Sequence, residues 1–255
     1  MSMESTEKDE TVDGSLHPIT TFIYKAHSIF REMGFTVAQG PQLETEYNNF
    51  DALNIPPDHP SRDQQDTFWI RKRGNGRDLL RSQTSDVQIR FMTENEPPIR
   101  IISPGRVYRQ EATDATHEIQ FHQIEGLVVE EGITLAHLKG VLETFLKQVF
   151  EDDDLVIRFR PGYFPFVEPG VEIDISCSFC KAGGCRLCKH SGWIEILGAG
   201  MVHPNVFKAV GVDDQRWRGF AFGLSPERIL MLKYGIEDIR WFHSADLRFL
   251  KQFSS

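Results

Sequence analysis

The sequence predicts an α+β fold in which helices flank an antiparallel sheet. Segments with strand character follow one another across polar loops, and amphipathic helices lie before, between and after them. The regular alternation of strand and helix that builds parallel βαβ units is missing, and so are the GxGxxG and Walker motifs. A nucleotide would therefore not be held in the Rossmann or P-loop manner.

Helices and strands can be placed along most of the chain. Residues 17–33 repeat apolar side chains at intervals of three and four and are followed by Gly34, which predicts a helix. Residues 39–66, rich in Asn, Pro and Asp, predict a loop. The remaining predictions are helices over 85–92 and 134–150, strands over 99–111 and 121–130, and later strands in "LVIRFRPG", "VEIDIS" and "WIEILGAGMV". No internal repeat is evident.

Composition excludes several classes of protein. The 255 residues, 40% of them hydrophobic, suffice for one large domain or two small ones. A net charge of −9 argues against a surface coated in basic charge for nucleic acid, although Arg100, Arg106 and Arg109 form a local basic run. No apolar run reaches the roughly 18 residues of a membrane span, so we expect a cytoplasmic protein with no membrane partner. The polar, acidic residues 1–16 predict a disordered tail.

The two strands over 99–111 and 121–130 carry polar side chains in an unusual pattern. Side chains alternate faces along a strand, so a hairpin with coinciding faces would gather Val107, Arg109, Glu111, Phe121, Gln123 and Glu125. Such a face is a poor core and a good binding surface. The guanidinium suits a phosphate, the ring suits a base, and the amide and carboxylates suit an ammonium group. The alternative is a solvent-facing sheet of mixed charges.

A helix near the C-terminus carries an arginine that helix formation does not require. In "GLSPERILMLKYG", Ser225 makes a good N-cap, Pro226 suits the first position, and Gly235 suits the C-terminal stop. Arg228 lies in the first turn, where a cation costs roughly 0.3–1 kcal/mol against the helix dipole. A bound anion would reverse that cost. The alternative is a solvated surface arginine or one paired with a nearby acid.

The four cysteines are spaced as metal ligands. Because no signal peptide precedes them, we expect thiols or metal ligands and not disulfides. The pattern C-x2-C-x4-C-x2-C, formed by Cys177, Cys180, Cys185 and Cys188, predicts a structural Zn²⁺ site in a loop insertion over about 177–192. Reduced thiols without metal and an iron–sulfur cluster are the alternatives. His190 could replace one of the four ligands.

Several of these stretches resemble one known family. "GRVYRQE", "FHQIEG" and "GFAFGLSPERI" resemble motifs 2 and 3 of class II aminoacyl-tRNA synthetases. The motifs "QDTFW", "LLRSQTS", "FRPGYFPFVEPG", "GWIEILGAGMVHPNV" and "DLRFLKQF" are similar to the α subunits of bacterial phenylalanyl-tRNA synthetase. The resemblance covers residues 17–255, which would form one class II synthetase catalytic domain. It does not extend to the N-terminal coiled coil that this family normally carries.

The resemblance implies an enzyme, a phenylalanine–tRNA ligase. Its reaction would activate L-phenylalanine with ATP and Mg²⁺, and then transfer it to tRNA(Phe). The partner would be a β subunit, in an α2β2 heterotetramer. The alternative is a non-catalytic paralogue on the same fold that senses amino acids or binds RNA. A class II synthetase for another amino acid is a further rival.

Residue roles follow from the same resemblance. ATP binding would involve Arg109, Glu111, His117, Phe121 and Arg228, with Arg109 on the α-phosphate and the two arginines as the catalytic groups. Glu168 matches a position that binds Mg²⁺ at the contact with the β subunit; its alternative is an ordinary strand-end carboxylate.

The resemblance also outlines an amino-acid pocket. Phe164 and Phe166, two residues apart in an extended segment, would meet the substrate ring edge to face, and the small Ala221 would leave room for the far end of that ring. The ammonium and carboxylate groups would be held by Trp69, Ser85, Gln88, Gln123 and Glu125. One departure is Gln83, where the family usually has histidine beside the reacting carboxylate. A glutamine can donate a hydrogen bond but cannot carry charge.

Overall fold

Two sheets organise the computed structural model, which describes residues 14–63, 66–70, 77–177, 179–186 and 188–253. Residues 1–13 of the predicted tail lie outside the described residues. Within the described ranges the strands are β1 (Thr36–Val37), β2 (Leu43–Thr45), β3 (Trp69–Ile70), β4 (Asp78–Leu80), β5 (Ile99–Tyr108), β6 (Gln120–Glu130), β7 (Ile157–Phe164), β8 (Val167–Ser176), β9 (Trp193–Val202) and β10 (Arg218–Leu224).

The larger sheet has seven strands in the order β1-β5-β6-β10-β9-β8-β7. Its neighbouring strands run antiparallel, as predicted, except for the parallel pair β1–β5. The antiparallel sheet flanked by helices is therefore confirmed, with one parallel pair at its edge. Residues 38–98 separate the two strands, and only a long connection of this kind can bring strands together in parallel. Strands β2, β4 and β3 form a smaller antiparallel sheet.

Most helices begin and end within a few residues of the predicted positions. The helices of the described ranges are α1 (Pro18–Glu32), α2 (Ser85–Glu94), α3 (Leu135–Phe150), α4 (Pro204–Val210), α5 (Pro226–Tyr234) and α6 (Leu247–Leu250). The predicted loop over 39–66 also contains β2, a π-helical segment at Tyr47–Asp51 and a 3₁₀ turn at Pro60–Arg62. Elements this short show no periodic pattern, which is why the sequence did not predict them.

The larger sheet has an apolar layer on each face. Along β6, Val128 belongs to one layer, and Leu127 and Val129 belong to the other, as the alternation of side chains requires. The first layer packs against α1 and α3, where the ring of Phe30 stacks on Phe145 at a centroid distance of 4.4 Å. The second layer packs against α2 and α4. A cavity opens in this second layer.

One glycine is required where two central strands meet. Gly126 on β6 pairs with Phe222 on β10, and the Phe222 ring lies across the glycine backbone. A Cβ atom at Gly126 would lie 2.1 Å from that ring. The ring also stacks on Phe30 at 5.4 Å, so the missing side chain lets an aromatic residue connect the sheet to α1.

Candidate active site

The cavity has a volume of about 510 Å³ and brings together nine of the predicted site residues. Its lining includes Ser85, Gln88, Arg109, Glu111, Gln123, Glu125, Phe164, Phe166 and Ala221. The predicted side chains that do not line it are Trp69, His117, Phe121, Glu168, Arg228 and the four cysteines. The β5–β6 register accounts for the polar wall, because Val107 pairs with Phe121 and Gly105 with Gln123. The two faces of the hairpin therefore coincide, as predicted.

A buried carboxylate occupies one wall of the cavity. Glu125 is 5% exposed and accepts hydrogen bonds from the Ser85 hydroxyl at 2.5 Å, the Gln88 amide at 2.9 Å and the Thr84 N–H at 3.2 Å. All three donors lie at the start of α2, so the helix N-terminus faces this acid. Burial raises the pKa of Glu125, and the bond from Ser85 opposes that shift. The neighbouring Gln123 Oε1 is buried with no hydrogen-bond partner among the described residues.

Arg109 lies just beyond the strand that was predicted to carry it. β5 ends at Tyr108, so the prediction that the strand continues to residue 111 is wrong, although the Arg109 N–H still donates to Ile119 at 2.9 Å. The guanidinium donates to the Ser82 carbonyl at 3.2 Å and lies 5.0 Å from the centre of the Phe121 ring. Partial burial lowers the pKa of Arg109, while Glu111 and Glu125 raise it. A guanidinium stays charged at neutral pH.

The connection between β5 and β6 holds two further predicted residues. Glu111 lines the cavity and also borders a shallow depression that it shares with His117, Asp66 and Asp114. The His117 ring contacts the Asp114 carboxylate at 3.0 Å. Backbone and side-chain donors of residues 116 and 117 lower the pKa of Asp114. An anionic partner therefore holds His117 in the depression that Glu111 borders.

Arg228 is exposed in the first turn of α5, as predicted. The Ser225 hydroxyl accepts a bond from the Arg228 N–H at 3.4 Å and caps the helix. Among the described residues no ion pair to the Arg228 side chain is found. Its neighbour Glu227 is fully buried. The Glu227 carboxylate accepts a hydrogen bond from the backbone N–H of His122 at 2.9 Å and lies 2.8 Å from the Nδ1 atom of the His122 ring. This link fixes α5 against the strand that carries Phe121, and the sequence reading missed it.

Two phenylalanines form the apolar end of the cavity. The prediction of an extended segment is wrong, because Phe164 ends β7 and Phe166 lies in the two-residue turn before β8. Their rings are nevertheless stacked, with centroids 6.0 Å apart. A Cβ atom at Gly198 would lie 2.8 Å from the Phe164 ring, so a glycine makes room for it. Ala221 on β10 lines the same cavity.

Of the two residues Trp69 and Gln83, only Gln83 lines the cavity. Trp69 packs on Phe50, which lines the cavity, with ring centroids 5.8 Å apart, and the Arg77 guanidinium lies 4.2 Å from the centre of the Trp69 ring. Trp69 thus supports the wall from behind. Gln83 lines the cavity, and its amide donates to the Asn49 carbonyl at 3.0 Å.

A second buried carboxyl lies one residue beyond Ser85. Both oxygens of Asp86 are buried, and no N–H or O–H donor among the described residues reaches them. Burial raises the pKa of Asp86 to about 8; the Arg81 charge opposes this shift, and Glu44 and Glu125 add to it. Burial without a donor therefore favours the protonated form of Asp86. Sequence reasoning missed it, because an acid in a first helical turn normally indicates a solvated position.

Two candidate metal positions lie apart from the cavity lining. The Glu168 side chain is 74% exposed and lies 3.3 Å from the His203 ring. The four cysteine sulfurs of Cys177, Cys180, Cys185 and Cys188 all lie within 4.8 Å of one another. They sit between β8 and β9, where the insertion was predicted.

No helix in the described part of the chain is long and apolar enough to cross a membrane.

Comparisons with known proteins identify the fold and the family. The family model of the tRNA synthetase class II core domain (F) matches residues 3–253. The phenylalanine–tRNA ligase alpha subunit of Thiobacillus denitrificans is 55% identical over 240 residues, which cover 94% of this chain and 70% of that protein. The alpha subunit of Nitrosospira multiformis is 54% identical over 243 residues, with the same coverage.

A solved structure agrees on the fold. The pyrrolysyl-tRNA synthetase from Desulfitobacterium hafniense superposes with a TM-score of 0.68 at 16% identity, over 92% of this chain and 76% of that one. At that identity the likeness concerns the fold alone. Together, the matched family model and the relatives show that this chain belongs to the class II aminoacyl-tRNA synthetases and, within them, to the phenylalanine–tRNA ligase alpha subunits.

Proposed function

We propose that this chain activates L-phenylalanine with ATP and then transfers it to tRNA(Phe), as the catalytic α subunit of a phenylalanine–tRNA ligase. One observation carries the proposal. A single cavity joins a polar wall, with the buried Glu125 and the unfilled acceptor of Gln123, to an apolar end that holds Phe164 and Phe166. An amino acid with an aromatic side chain has the same two ends.

The amino acid binds with its ammonium group at the polar wall. Gln123 Oε1 offers a free lone pair, and Glu125 offers negative charge. Ser85 and Gln88 donate hydrogen bonds to Glu125, so they hold that carboxylate in position in addition to lining the substrate site. The phenyl ring lies toward Phe164 and Phe166, where edge-to-face contacts contribute about 0.5–1.5 kcal/mol per pair beyond burial. A pocket of this kind rejects an added hydroxyl by only about 10²-fold, so tyrosine is the principal competitor.

ATP lies at the open end of the cavity, along the β5–β6 hairpin. The Arg109 guanidinium is held by Ser82 and Phe121, which fixes it for the α-phosphate. Arg228 is exposed in the first turn of α5 with no ion pair among the described residues, and Glu227 holds that helix against the strand that carries Phe121, so we assign Arg228 to the phosphates of ATP. Glu111 and His117 border the depression next to the cavity, and we assign them to ATP as well. The Phe121 ring offers a face for adenine.

Activation needs alignment and charge neutralisation more than a protein nucleophile. The substrate carboxylate attacks the α-phosphorus and pyrophosphate leaves; a ribose hydroxyl of tRNA then attacks the acyl carbon of the adenylate, and AMP leaves. Arg109 and Arg228 are placed to neutralise charge on the phosphates. The carboxylate of Glu111, which lines the cavity, is the type of oxygen ligand that Mg²⁺ prefers; the exposed Glu168 lies apart from the cavity and would hold a separate ion. Mg²⁺ supplies further neutralisation of the phosphates when it is bound.

The partners follow from the family. We propose that a β subunit associates with this chain, in an α2β2 assembly, and that Glu168 lies at their contact. The reaction belongs to protein synthesis, and its compartment would be the cytoplasm.

The substitution Glu125→Gln tests the assignment of the polar wall. It keeps the shape of the side chain and removes the charge, so the phenylalanine KM in ATP–pyrophosphate exchange should rise about 10- to 100-fold, the value of one charge-assisted hydrogen bond of about 1.5–3 kcal/mol. The ATP KM should stay unchanged. Glu143→Gln on the exposed face of α3 is the matched control and should change neither constant.

An unchanged phenylalanine KM in Glu125→Gln would contradict the assignment. If the unsubstituted chain, co-purified with its β subunit, bound phenylalanine without any exchange, the non-catalytic paralogue would be the better description. Gln83, held by the Asn49 carbonyl in place of a histidine, is the observation that favours this alternative.

A further inference from the structure

The loop between β8 and β9 consists of two copies of one eight-residue unit. Residues 177–184 read CSFCKAGG, and residues 185–192 read CRLCKHSG. Both copies follow the pattern C-x-x-C-K-x-x-G. The two units fill the connection completely, since β8 ends at Ser176 and β9 begins at Trp193. The expectation that the chain holds no internal repeat is therefore wrong at this short scale.

The backbone repeats as closely as the sequence does. In the first copy Ala182 N–H donates to the Cys177 carbonyl at 3.3 Å, and in the second His190 N–H donates to the Cys185 carbonyl at 2.8 Å. The two residues after the second cysteine of each copy are left-handed, with φ between 45° and 63°. Both units therefore form the same tight turn.

The glycine that ends each unit holds a sulfur. Gly184 N–H donates to the sulfur of Cys180 at 3.2 Å, and Gly192 N–H donates to the sulfur of Cys188 at 3.3 Å. Both glycines have positive φ, 88° and 79°. A Cβ atom would lie 2.9 Å from the His190 carbonyl at Gly184 and 2.4 Å from the Ala182 carbonyl at Gly192. Each glycine thus packs against the turn of the other copy, which makes the two units interlock about an approximate twofold axis.

The spacing of the sulfurs matches one metal geometry. The contacts Cys177–Cys185 and Cys180–Cys188 measure 3.8 Å, and Cys185–Cys188 measures 3.7 Å. A disulfide would need about 2.05 Å. Four thiolates at the Zn–S distance of about 2.3 Å, at the corners of a tetrahedron, stand about 3.8 Å apart. An iron–sulfur cluster seats its thiolates on different iron atoms and so spreads them more widely.

We propose that this double turn is a zinc site, in which Cys177, Cys180, Cys185 and Cys188 bind one Zn²⁺ as a closed set of four thiolates. Each thiol gives up its proton on binding. Four protein ligands leave no open position, so the metal has a structural role and no part in the reaction.

The proposed ion anchors the loop to the main core. Cys177 is 0% exposed and Cys188 is 4% exposed, and both belong to the apolar layer that also includes Leu232 of α5. Zinc binding should therefore stabilise the whole domain as well as the loop. The proposal goes beyond amino-acid activation and stands independently of it.

Metal content tests the proposal directly. The chain co-purified with its β subunit under reducing conditions should contain zinc, and Cys180→Ser should lower the zinc content by about one ion per chain. Arg186→Ala, an exposed position in the same loop, should retain the full content. His190→Asn should retain it too, because asparagine tolerates the left-handed backbone at this position and the histidine is not a ligand.

A second measurement covers the case in which Cys180→Ser does not fold. A strong chelator added to the unsubstituted complex should release one zinc ion per α chain as four further thiols of that chain become reactive, and it should lower the melting temperature. Co²⁺ in place of zinc should give the intense visible absorption of a tetrahedral thiolate site. A folded, reduced protein with four reactive thiols and no metal would overturn the proposal. Iron with acid-labile sulfide would overturn the assignment to zinc.

Discussion

Replacing Asp86 with asparagine should stabilise the protein increasingly as the pH rises. The carboxyl is fully buried, no donor among the described residues reaches either oxygen, and burial raises the pKa of Asp86 to about 8. In the unfolded chain the pKa returns to its ordinary value of 3.8. Between these two values the folded protein keeps a proton that the unfolded chain releases. Ionisation therefore favours the unfolded state, and the free energy of unfolding falls as the pH rises from about 4 to about 8.

The size of the effect follows from the same two values. Each pH unit between them costs about 1.4 kcal/mol, so Asp86 lowers the free energy of unfolding by about 3 kcal/mol more at pH 7 than at pH 5. Asparagine has a similar shape and no charge to lose. The stabilising effect of Asp86→Asn should therefore grow by about 3 kcal/mol between these two pH values.

Urea unfolding at pH 5, 6, 7 and 8 measures this difference. Other groups titrate over the same range, so the quantity to compare is the difference between Asp86→Asn and the unsubstituted chain at each pH. Asp58→Asn, at an exposed position, is the control and should show no trend. A difference for Asp86→Asn that does not change with pH would refute the reasoning, because it would mean that Asp86 ionises in the folded protein as it does in water.

Two further predictions concern the catalytic site. Arg228→Ala should lower phenylalanine-dependent ATP–pyrophosphate exchange at least about 100-fold, the loss expected for one transition-state charge contact, while the melting temperature stays unchanged because the side chain is exposed; exchange at the level of the Lys208→Ala control would contradict its role. Ala221→Gly should admit para-substituted phenylalanines, because the small side chain lines the cavity that ends at Phe164 and Phe166. An unaltered substrate range, measured by exchange with para-substituted analogues, would show that the Ala221 side chain does not limit the size of the substrate ring.

The polar wall and the N-cap of α5 were predictable because they depend on local rules. Alternation along β6 placed Gln123 and Glu125 on one face, and the strand register then brought Phe121 opposite Val107. Ser225 followed by Pro226 predicted the start of the helix. These features need no knowledge of distant residues.

Other features depend on tertiary contacts that a pattern does not encode. Alternation does not indicate where a strand ends, so Arg109 was assigned to β5 although the chain leaves the sheet at Tyr108. Phe166 lies in a two-residue hairpin turn, and Pro165–Phe166 is not among the Gly- and Asn-containing pairs that predict such turns. The burial of Asp86 comes from packing around α2, and no local signal distinguishes it from a solvated acid.

The cysteine loop stands between these two cases. Its spacing predicted four neighbouring sulfurs, and the structure brings them together. The eight-residue repeat was present in the sequence as well, but two copies are too few to stand out until the matching hydrogen bonds of Ala182 and His190 reveal them.

The most direct test of the proposed function is ATP–pyrophosphate exchange with each of the twenty amino acids in turn, on the chain co-purified with its β subunit. The account predicts strong exchange with phenylalanine, weak exchange with tyrosine, and none with the others. Exchange with a different amino acid, or none from a folded complex, would contradict it.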